Sequence, residues 1–417
     1  MGFGQGVSGI NAAAANLDVI GNNIANSNTV GYKASTAQFA DVYAGTKIGL
    51  GTTVNSVVQS FTQGNIQATN RSLDVAITNG SGFFRLVGTD GSVHFSRNGQ
   101  FARTDDGRIV NAQGLQLTGF PPAGSGGGAL PQPLVVSSAQ MPPKPTGNIK
   151  VGYNLDSRSS VPATAFSSTA ADPTATPPTP AALPTSDMYS YSNSMTVYDS
   201  LGNSQQLVAY FGKSSSGPTV AGGTDWTMNV TDAAGNVMGG SPITLAFDSN
   251  GKLTSTSPAT ITLTKTMTNG ASDLSMKLDL AGTTQFGSDN DVMSPSQDGY
   301  ASGALLGFAI EGDGTVRASY SNEQTQVLGQ VVLASFGNPE GLKPEGGNTW
   351  AATGASGEAI VGAPGGARGQ LLSSAVEASN VDLSGELVNL IVAQRNYQAN
   401  AKTIETQNQV MNSLMNM

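Results

Sequence analysis

The chain has 417 residues, of which 11% are charged, and its formal net charge is −9. This length exceeds what one hydrophobic core supports, so we expect two or three domains, and the acidic balance argues against nucleic acid or an anionic membrane as partner, since both require clustered basic side chains. The chain contains no cysteine, which excludes disulfides, thiolate chemistry and the usual cysteine-ligated zinc site.

The low charge content favours a particular kind of surface. Soluble domains carry about 25% charged residues, whereas glycine, serine, threonine, asparagine and alanine replace most of them here. Such a surface suits subunits that cover much of one another. No run of about 18 apolar residues occurs, so we expect no membrane-spanning helix. The first residues lack a basic and then apolar leader, so we expect any export to proceed without a cleaved signal peptide.

The first predicted element is a helix over residues 1–30. Apolar or small residues recur at steps of three and four, which is a heptad seam: Phe3, Gly6, Ile10, Ala13, Leu17, Ile20 and Ile24. Asp18 is the only charged side chain in this helix before Thr29, and asparagine, a mediocre helix former, is abundant. We therefore expect the helix to be ordered only when it is packed, with Ile10, Leu17 and Ile24 as candidate assembly residues.

The helix is predicted to end in the run from Asn26 to Gly31, because asparagine and glycine tolerate the left-handed conformation that closes a helix. The longer run Gly21–Lys33, GNNIANSNTVGYK, closely resembles the signature of the bacterial flagellar rod and hook proteins. The residues that carry this resemblance are Asn22, Asn23, Asn26, Thr29, Gly31, Tyr32 and Lys33. That family also ends in a helix similar to Glu386–Asn400 of this chain.

Residues 31–72 are polar and punctuated by glycine, with one short β-like run at Thr52–Val58. We expect an extended connector between the first helix and the body of the protein. The residues alone also allow a flexible linker. The family resemblance implies an ordered segment that packs against neighbouring subunits.

The body is predicted to contain a first β domain over residues 73–148 and 290–375. Asp90-Gly91, Asn98-Gly99 and Asp106-Gly107 are dipeptides that permit tight hairpins. The predicted strands are Gly82–Val87, Val93–Arg97, Gly99–Arg103, Arg108–Val110, Leu305–Ile310, Thr315–Tyr320 and Gln330–Phe336. This pattern is similar to the core domain shared by rod and hook proteins. Glycine-rich residues 124–128 and proline-rich residues 142–145 indicate a boundary after it.

A second β domain, residues 149–289, is predicted to be inserted in the first. In the run Leu274–Leu280 apolar and polar residues alternate, which is typical of a sheet with one wet face. The other predicted strands are Ser194–Asp199, Gln206–Phe211, Trp226–Val230 and Ile243–Phe247. Residues 162–184, rich in proline, threonine and alanine, are expected to form an exposed loop. Rod proteins of the family lack a large insertion, so this block resembles the hook branch.

The last predicted element is a helix within residues 376–417. Its heptad seam comprises Leu383, Leu387, Leu390, Gln394, Tyr397, Ala401, Ile404, Asn408, Met411 and Met415. Such a seam requires a partner, which could be the protein's own core. We expect the first helix to be that partner, in a coiled coil of the two ends. The candidate assembly residues are Leu383, Leu387, Leu390, Tyr397, Ile404 and Met411.

Candidate catalytic residues are few. The single histidine, His94, lies in a predicted strand beside Phe95, so we interpret it as a hairpin side chain. Asp248–Gly251 and Ser288–Asp291 resemble calcium-ligand spacing, but the first lacks the distal glutamate of a full loop and is better interpreted as a turn. We predict no enzyme, no cofactor and no metal site, although a cation near Asp289 and Asp291 remains an open alternative.

The predicted fold class is mixed α and β, multidomain, with paired terminal helices and two mainly antiparallel β domains, the second inserted in the first. The resemblance implies an extracellular structural subunit that polymerises into a curved tube, a universal joint between rod and filament with a central export channel. It implies identical subunits, rod proteins, a hook cap, hook–filament junction proteins and the flagellar export apparatus as partners. A distal-rod-like subunit and, in another class, a secreted β-rich adhesin are the alternatives.

Overall fold

The structure, a computed structural model, describes residues 3–42, 49–122, 130–172, 174–254 and 260–415. The predicted boundary at residues 124–128 lies outside this part of the chain. Two α-helices lie near its ends, α1 at Phe3–Ala25 and α2 at Leu383–Met415. The chain divides into two units: unit 1 comprises Met1–Ser138, Leu306–Ser319 and Thr325–Met417, and unit 2 comprises Ala139–Leu305 and Tyr320–Gln324.

Between the helices the chain is built from short strands. Those up to residue 154 are β1 Ser35–Asp41, β2 Thr52–Gln59, β3 Ile66–Ala68, β4 Val75–Thr78, β5 Phe83–Val87, β6 Val93–Ser96, β7 Ala102–Arg103, β8 Ile109–Val110, β9 Gln116–Phe120, β10 Gln132–Pro133 and β11 Asn148–Asn154. Those from residue 191 to residue 297 are β12 Tyr191–Tyr198, β13 Ser204–Lys213, β14 Thr224–Asp232, β15 Ile243–Phe247, β16 Thr260–Lys265, β17 Leu274–Asp279 and β18 Asp291–Gln297.

The strands that follow return towards α2. They are β19 Leu305–Ile310, β20 Thr315–Tyr320, β21 Thr325–Val331, β22 Leu333–Ser335, β23 Lys343–Gly346, β24 Thr349–Ala351, β25 Ile360–Gly362, β26 Gln370–Ser373 and β27 Ala375–Glu377. Single turns of 3₁₀-helix lie at Pro339–Gly341 and Gly366–Arg368. Two helices and mostly antiparallel sheets in more than one unit are the fold class that the sequence predicts.

The main sheet of unit 1 has the strand order β19-β20-β21-β9-β5-β6-β24-β23. Its core is aromatic, because phenylalanine and tryptophan side chains meet edge to face between the strands. Phe83 contacts Phe61, Phe336 and Trp350 at ring-centroid distances of 5.4, 5.7 and 5.9 Å. Such pairs add about 0.5–1.5 kcal/mol each beyond the burial of their area.

Smaller sheets in unit 1 join the beginning of the chain to its end. β27 pairs with β3, and β26 pairs with β4, both antiparallel. β1 and β2 form an antiparallel hairpin, so the predicted extended connector is a folded element. The first residue of β2 contacts α1, where Ser8 Oγ accepts a hydrogen bond of 3.3 Å from the Thr52 amide.

Unit 2 contains two four-stranded sheets, with orders β12-β13-β14-β15 and β16-β17-β11-β18. β11 and β17 are parallel, whereas the other described pairs of these sheets are antiparallel. Leu274, Met276 and Leu278 of β17 are buried while Ser275 and Lys277 are exposed, as the alternation predicts. They join an apolar core that includes Tyr153, Phe211, Trp226 and Met228.

Proline-rich residues 162–184 differ from the predicted loop. The described part is largely exposed, as expected, but it pairs with itself through bridges between Thr169 and Ala182 and between Asp172 and Thr179. The composition of this segment cannot form a hydrophobic core. Backbone hydrogen bonds across the segment give it a defined conformation instead.

A five-residue loop recurs in unit 2, at Asp199–Asn203, Asp232–Asn236 and Asp248–Lys252. In each, one aspartate oxygen accepts hydrogen bonds from the backbone amides two and four residues later. The fourth residue is a glycine with φ of +84°, +91° and +74° respectively. Because backbone amides and the left-handed glycine close each loop, these loops are turns, as predicted for Asp248–Gly251.

Candidate functional site at the helix junction

The signature residues converge where α1 ends, and Asn23 is their centre. Its side chain is 1% exposed. Its Nδ2 donates to the Ser35 carbonyl at 2.8 Å and to Glu386 Oε1 of α2 at 3.1 Å. Its Oδ1 accepts from the Tyr32 hydroxyl at 3.1 Å and the Ser35 amide at 2.9 Å. One buried amide therefore ties α1, β1 and the first turn of α2 together with its hydrogen-bonding capacity used.

The remaining signature residues close the helix and turn the chain. Asn26 Nδ2 donates to Asn22 Oδ1 at 2.6 Å, and the Thr29 hydroxyl donates to Asn26 Oδ1 at 3.1 Å. Gly31 has φ of +71°, and its amide donates to the Glu377 carbonyl at 2.8 Å. A Cβ on Gly31 would lie 2.6 Å from the Asn98 amide nitrogen, so only glycine fits this turn.

Lys33, the last signature residue, belongs to a buried charge cluster that consists of Lys33, Arg97 and Glu377. Lys33 Nζ lies 2.6 Å from Glu377 Oε1, and Arg97 Nη1 lies 3.2 Å from Glu377 Oε2. The three side chains are at most 1% exposed. Burial lowers the pKa of Lys33, and the attraction of Glu377 opposes that shift in part. The two cations share one carboxylate, so the cluster carries an excess positive charge.

Backbone groups around the charge cluster also form hydrogen bonds with each of its three members, whereas Arg97 Nε has no hydrogen-bond partner among the described residues. Lys33 Nζ donates to the Thr62 carbonyl at 2.7 Å, and Arg97 Nη2 donates to the Gly80 carbonyl at 2.8 Å. The Gly64 amide donates to Glu377 Oε1 at 2.9 Å. Arg97 also lies over the Phe83 ring, with Cζ 5.3 Å from the centroid.

Asn380 fastens the segment that precedes α2. Its Oδ1 accepts from the Ala34 amide at 2.7 Å, and its Nδ2 donates to the Ser60 carbonyl at 2.8 Å. The Ala378 amide donates to the Asn65 carbonyl at 2.8 Å. Sequence reasoning missed Arg97, Glu377 and Asn380, because nothing in their local patterns links them to residues some three hundred positions away.

The two helices lie against each other through small residues of α1. A Cβ at Gly6 would lie 2.8 Å from Ile404 Cγ1, and one at Gly9 would lie 2.6 Å from Asn400 Oδ1. Ala13 and Ile20 are also buried, while Ile10, Leu17 and Ile24 are half-buried. Small residues allow this close backbone approach, which a bulky residue at either glycine would prevent.

The side of α2 that the chain itself covers differs from the predicted seam. Ala393 is buried, and Glu386, Leu390, Asn400 and Ile404 are half-buried. Seven of the ten predicted seam residues remain exposed, including the candidate assembly residues Leu383, Leu387, Tyr397 and Met411 at 44, 45, 39 and 56%. The covered stripe also has heptad spacing, and its residues Ile404 and Asn400 lie against Gly6 and Gly9 of α1.

An apolar surface on α2 is therefore open to solvent. It consists of Leu383, Leu387, Val388, Ile391 and Val392, with exposed fractions of 44, 45, 60, 50 and 50%. We call this set the open α2 face. Contiguous exposed apolar residues of this kind mark interaction surfaces.

In the described part of the chain no helix is both long and apolar enough to cross a membrane.

His94 lies between the Glu345 carboxylate and the Ser92 hydroxyl. Its Nδ1 is 2.8 Å from Glu345 Oε2, and its Nε2 is 2.9 Å from Ser92 Oγ. The Ser92 hydroxyl donates to Asp90 Oδ1 at 2.6 Å. The Ser92 hydroxyl proton thus points away from the His94 imidazole. An activated serine nucleophile would instead donate this proton to the imidazole.

Asp289 is engaged by an arginine, since its Oδ1 accepts from Arg158 Nη2 at 2.8 Å. The described residues contain no group of three or more acidic or histidine side chains arranged to hold a metal ion.

Family models match along the chain in the order of its parts. They are a flagellar basal body rod protein model over residues 5–33, the flagellar hook protein FlgE/F/G D1 domain over 76–159, the flagellar basal body protein FlaE D2 domain over 154–300, and the flagellar basal body rod FlgEFG C-terminal model over 372–417. The helices and β units are thus those of the flagellar rod and hook class of proteins.

Full-length relatives narrow this class. The chain is 45% identical to the flagellar hook protein FlgE of Salmonella typhimurium over 423 residues, covering 100% of both chains. It is 45% identical to that of Escherichia coli, again over 100% of both, and 33% identical to that of Rhizobium meliloti, over 99% of this chain and 97% of the relative. The chain belongs to the flagellar hook protein FlgE family.

A solved structure supports the fold. The crystal structure of the Helicobacter pylori flagellar hook protein FlgE2 matches with a TM-score of 0.52 at 15% identity, covering 75% of this chain and 100% of that one. At this identity the similarity concerns the fold alone.

Proposed function

We propose that this chain polymerises as the structural subunit of a bacterial flagellar hook, a short curved tube that serves as a universal joint between rod and filament. The observation that carries the proposal is the 45% identity to hook proteins over the whole chain. A rod subunit would be expected to match the terminal helices and the first β domain only. The match to the D2 domain over residues 154–300 therefore favours a hook over a distal rod.

In this proposal α1 and α2 pair as a coiled coil and form the inner wall of the tube, around a channel for later subunits. Two observations support it. The two helices already meet through Gly6 and Gly9, and the open α2 face needs a cover that the single chain does not provide. Neighbouring copies of α1 and α2 would supply that cover.

The β units would form the outer shells, with residues 149–289 as an inserted outer domain. Each subunit in a rotating curved tube must alternate between compressed and extended packing. These states must have similar free energies, which calls for polar outer contacts that can slide. The serine-, threonine- and asparagine-rich surface of unit 2 suits this requirement.

The remaining assignments follow from the family. Rod proteins, a hook cap, hook–filament junction proteins and the flagellar export apparatus are the proposed partners, and the proposed location is the extracellular hook, reached without a cleaved signal peptide. The proposed role is structural and not enzymatic, as the names of the relatives indicate.

Replacement of the hook gene tests this proposal. The chain would be expressed in a flagellated bacterium that lacks its own hook gene, and hook–basal bodies would be purified and imaged. Hooks that contain this chain are expected, and they should be absent when flagellar secretion is also disabled. A chain that stays in the cytoplasm while secretion is intact would contradict the proposal.

A further inference from the structure

The charge cluster joins three distant segments of unit 1. Lys33 follows α1, Arg97 follows β6, and Glu377 is the last residue of β27, six positions before α2 begins. In the described part of the chain, Glu377 is the only acidic side chain that forms an ion pair with either cation. The counterion for both cations therefore arrives only with the segment that leads into α2.

The backbone around Glu377 docks at the same place. Its carbonyl accepts from the Gly31 amide at 2.8 Å, and β27 pairs with β3 through Glu377 and Ile66. Without this segment, Lys33 and Arg97 would be two buried like charges without a carboxylate, which is strongly unfavourable. Their burial and the docking of β27 thus depend on each other.

We propose that Glu377 is the positioning residue of an intramolecular lock, which docks the segments after α1 and before α2 onto unit 1 in one cooperative step. The lock gives the flagellar signature a role inside the subunit, because Gly31 and Lys33 both contact Glu377. Because both segments dock in the same step, α1 and α2 are fixed to unit 1 together and not one after the other. The inference goes beyond the proposed polymerisation, and its test needs only the monomer.

The cluster also predicts which second change restores the lock. Arg97 retains the Gly80 carbonyl and the Phe83 ring when Glu377 is lost, whereas Lys33 retains only the Thr62 carbonyl among its hydrogen bonds. Removal of the Lys33 charge should therefore relieve most of the damage caused by loss of the Glu377 charge. A residue that acted through its volume alone would show no such relief.

Hydrogen–deuterium exchange of the full-length monomer tests the lock in wild type, Glu377→Gln, Lys33→Met/Glu377→Gln and the exposed control Glu358→Gln. In Glu377→Gln, the amides of β3 and β27 should exchange at least tenfold faster, while those of β13 and β14 in unit 2 keep their wild-type rates. In the double variant the exchange rates of these amides should return towards the wild-type rates. In Glu358→Gln they should equal the wild-type rates.

Two results would overturn the proposal. One is wild-type exchange of β3 and β27 in Glu377→Gln. The other is a double variant that exchanges as fast as Glu377→Gln. If Glu377→Gln cannot be purified folded, the double variant decides alone, because the lock requires that it fold and protect these strands.

Discussion

At the scale of single residues, Gly31 shows how the signature shapes the junction. Gly31 and Gly91 both have positive φ, +71° and +85°, but only Gly31 has neighbours where a Cβ would lie. Gly91→Ala should cost about 1–2 kcal/mol for the left-handed conformation. Gly31→Ala should cost about 1–3 kcal/mol more, because the Cβ overlaps the backbone at Asn98.

Urea denaturation monitored at Trp350, which lies beside Phe61 and Phe83, measures the free energy of unfolding of unit 1. A Trp226→Phe background removes the other tryptophan of the chain. Equal losses of stability in Gly31→Ala and Gly91→Ala would show that the close approach at Gly31 is absent.

Lys33 predicts a pH dependence. Burial lowers its pKa from 10.5, so between the lowered value and 10.5 the unfolded chain binds more protons than the folded chain. Stability contributed by Lys33 therefore rises with pH in this window. The difference in unfolding free energy between wild type and Lys33→Met should increase from pH 7 to pH 10 in the same fluorescence assay. A difference that falls over this range would refute the assigned direction.

The residue scale also shows what the sequence could and could not predict. Asn23, Gly31 and Lys33 were found through the signature, and the Asp-Gly turns through the conformational needs of glycine. Glu377 was not found, because its partner Lys33 is 344 positions away and no periodicity connects them. Long-range polar contacts depend on the tertiary fold, which local sequence patterns do not predict.

At the scale of elements, the two faces of α2 have different roles. One face packs against α1 inside the subunit, and the open α2 face is available for packing between subunits. Leu387 is 45% exposed and belongs to the open α2 face, whereas Leu390 is half-buried on the side towards α1. Leu387→Ala should change monomer stability by roughly 1 kcal/mol or less. Leu390→Ala should cost about 2 kcal/mol or more within the monomer.

Assembly should respond differently from stability. We expect Leu387→Ala to raise the critical concentration for polymer formation at least tenfold, measured by sedimentation, because each copy loses a contact between subunits. Normal polymer formation by this variant would argue against the open α2 face as an interface. Leu390→Ala, with its β units still folded, should impair both stability and assembly.

The same helix shows why the predicted seam was displaced. Spacing by three and four identifies a helix and its period, and two stripes of α2 satisfy that spacing while sharing Leu390 and Ile404. The stripe towards α1 is selected by the small residues at Gly6 and Gly9 of the partner helix. Sequence periodicity alone therefore predicted the element but not which of its faces the monomer covers.

At the scale of the whole molecule, unit 2 offers a test of curvature. Met141 and Gly303 exchange backbone hydrogen bonds of 2.8 and 3.2 Å. The chain therefore enters and leaves residues 142–302 at adjacent positions. Residues 142–302 can therefore be replaced by a short glycine linker. The shortened chain should still polymerise through its helices, but into straight tubes, as seen by electron microscopy. Curved tubes from this deletion would remove unit 2 as the source of curvature.

Polymerisation of the whole chain into a curved tube is the property that distinguishes a hook subunit from the alternatives. Negative-stain electron microscopy of the purified wild-type protein at increasing concentration tests it most directly. Short curved tubes with a central channel are expected above a threshold concentration. Straight rods would favour a distal-rod subunit, and monomers at every concentration would contradict the proposed polymerisation.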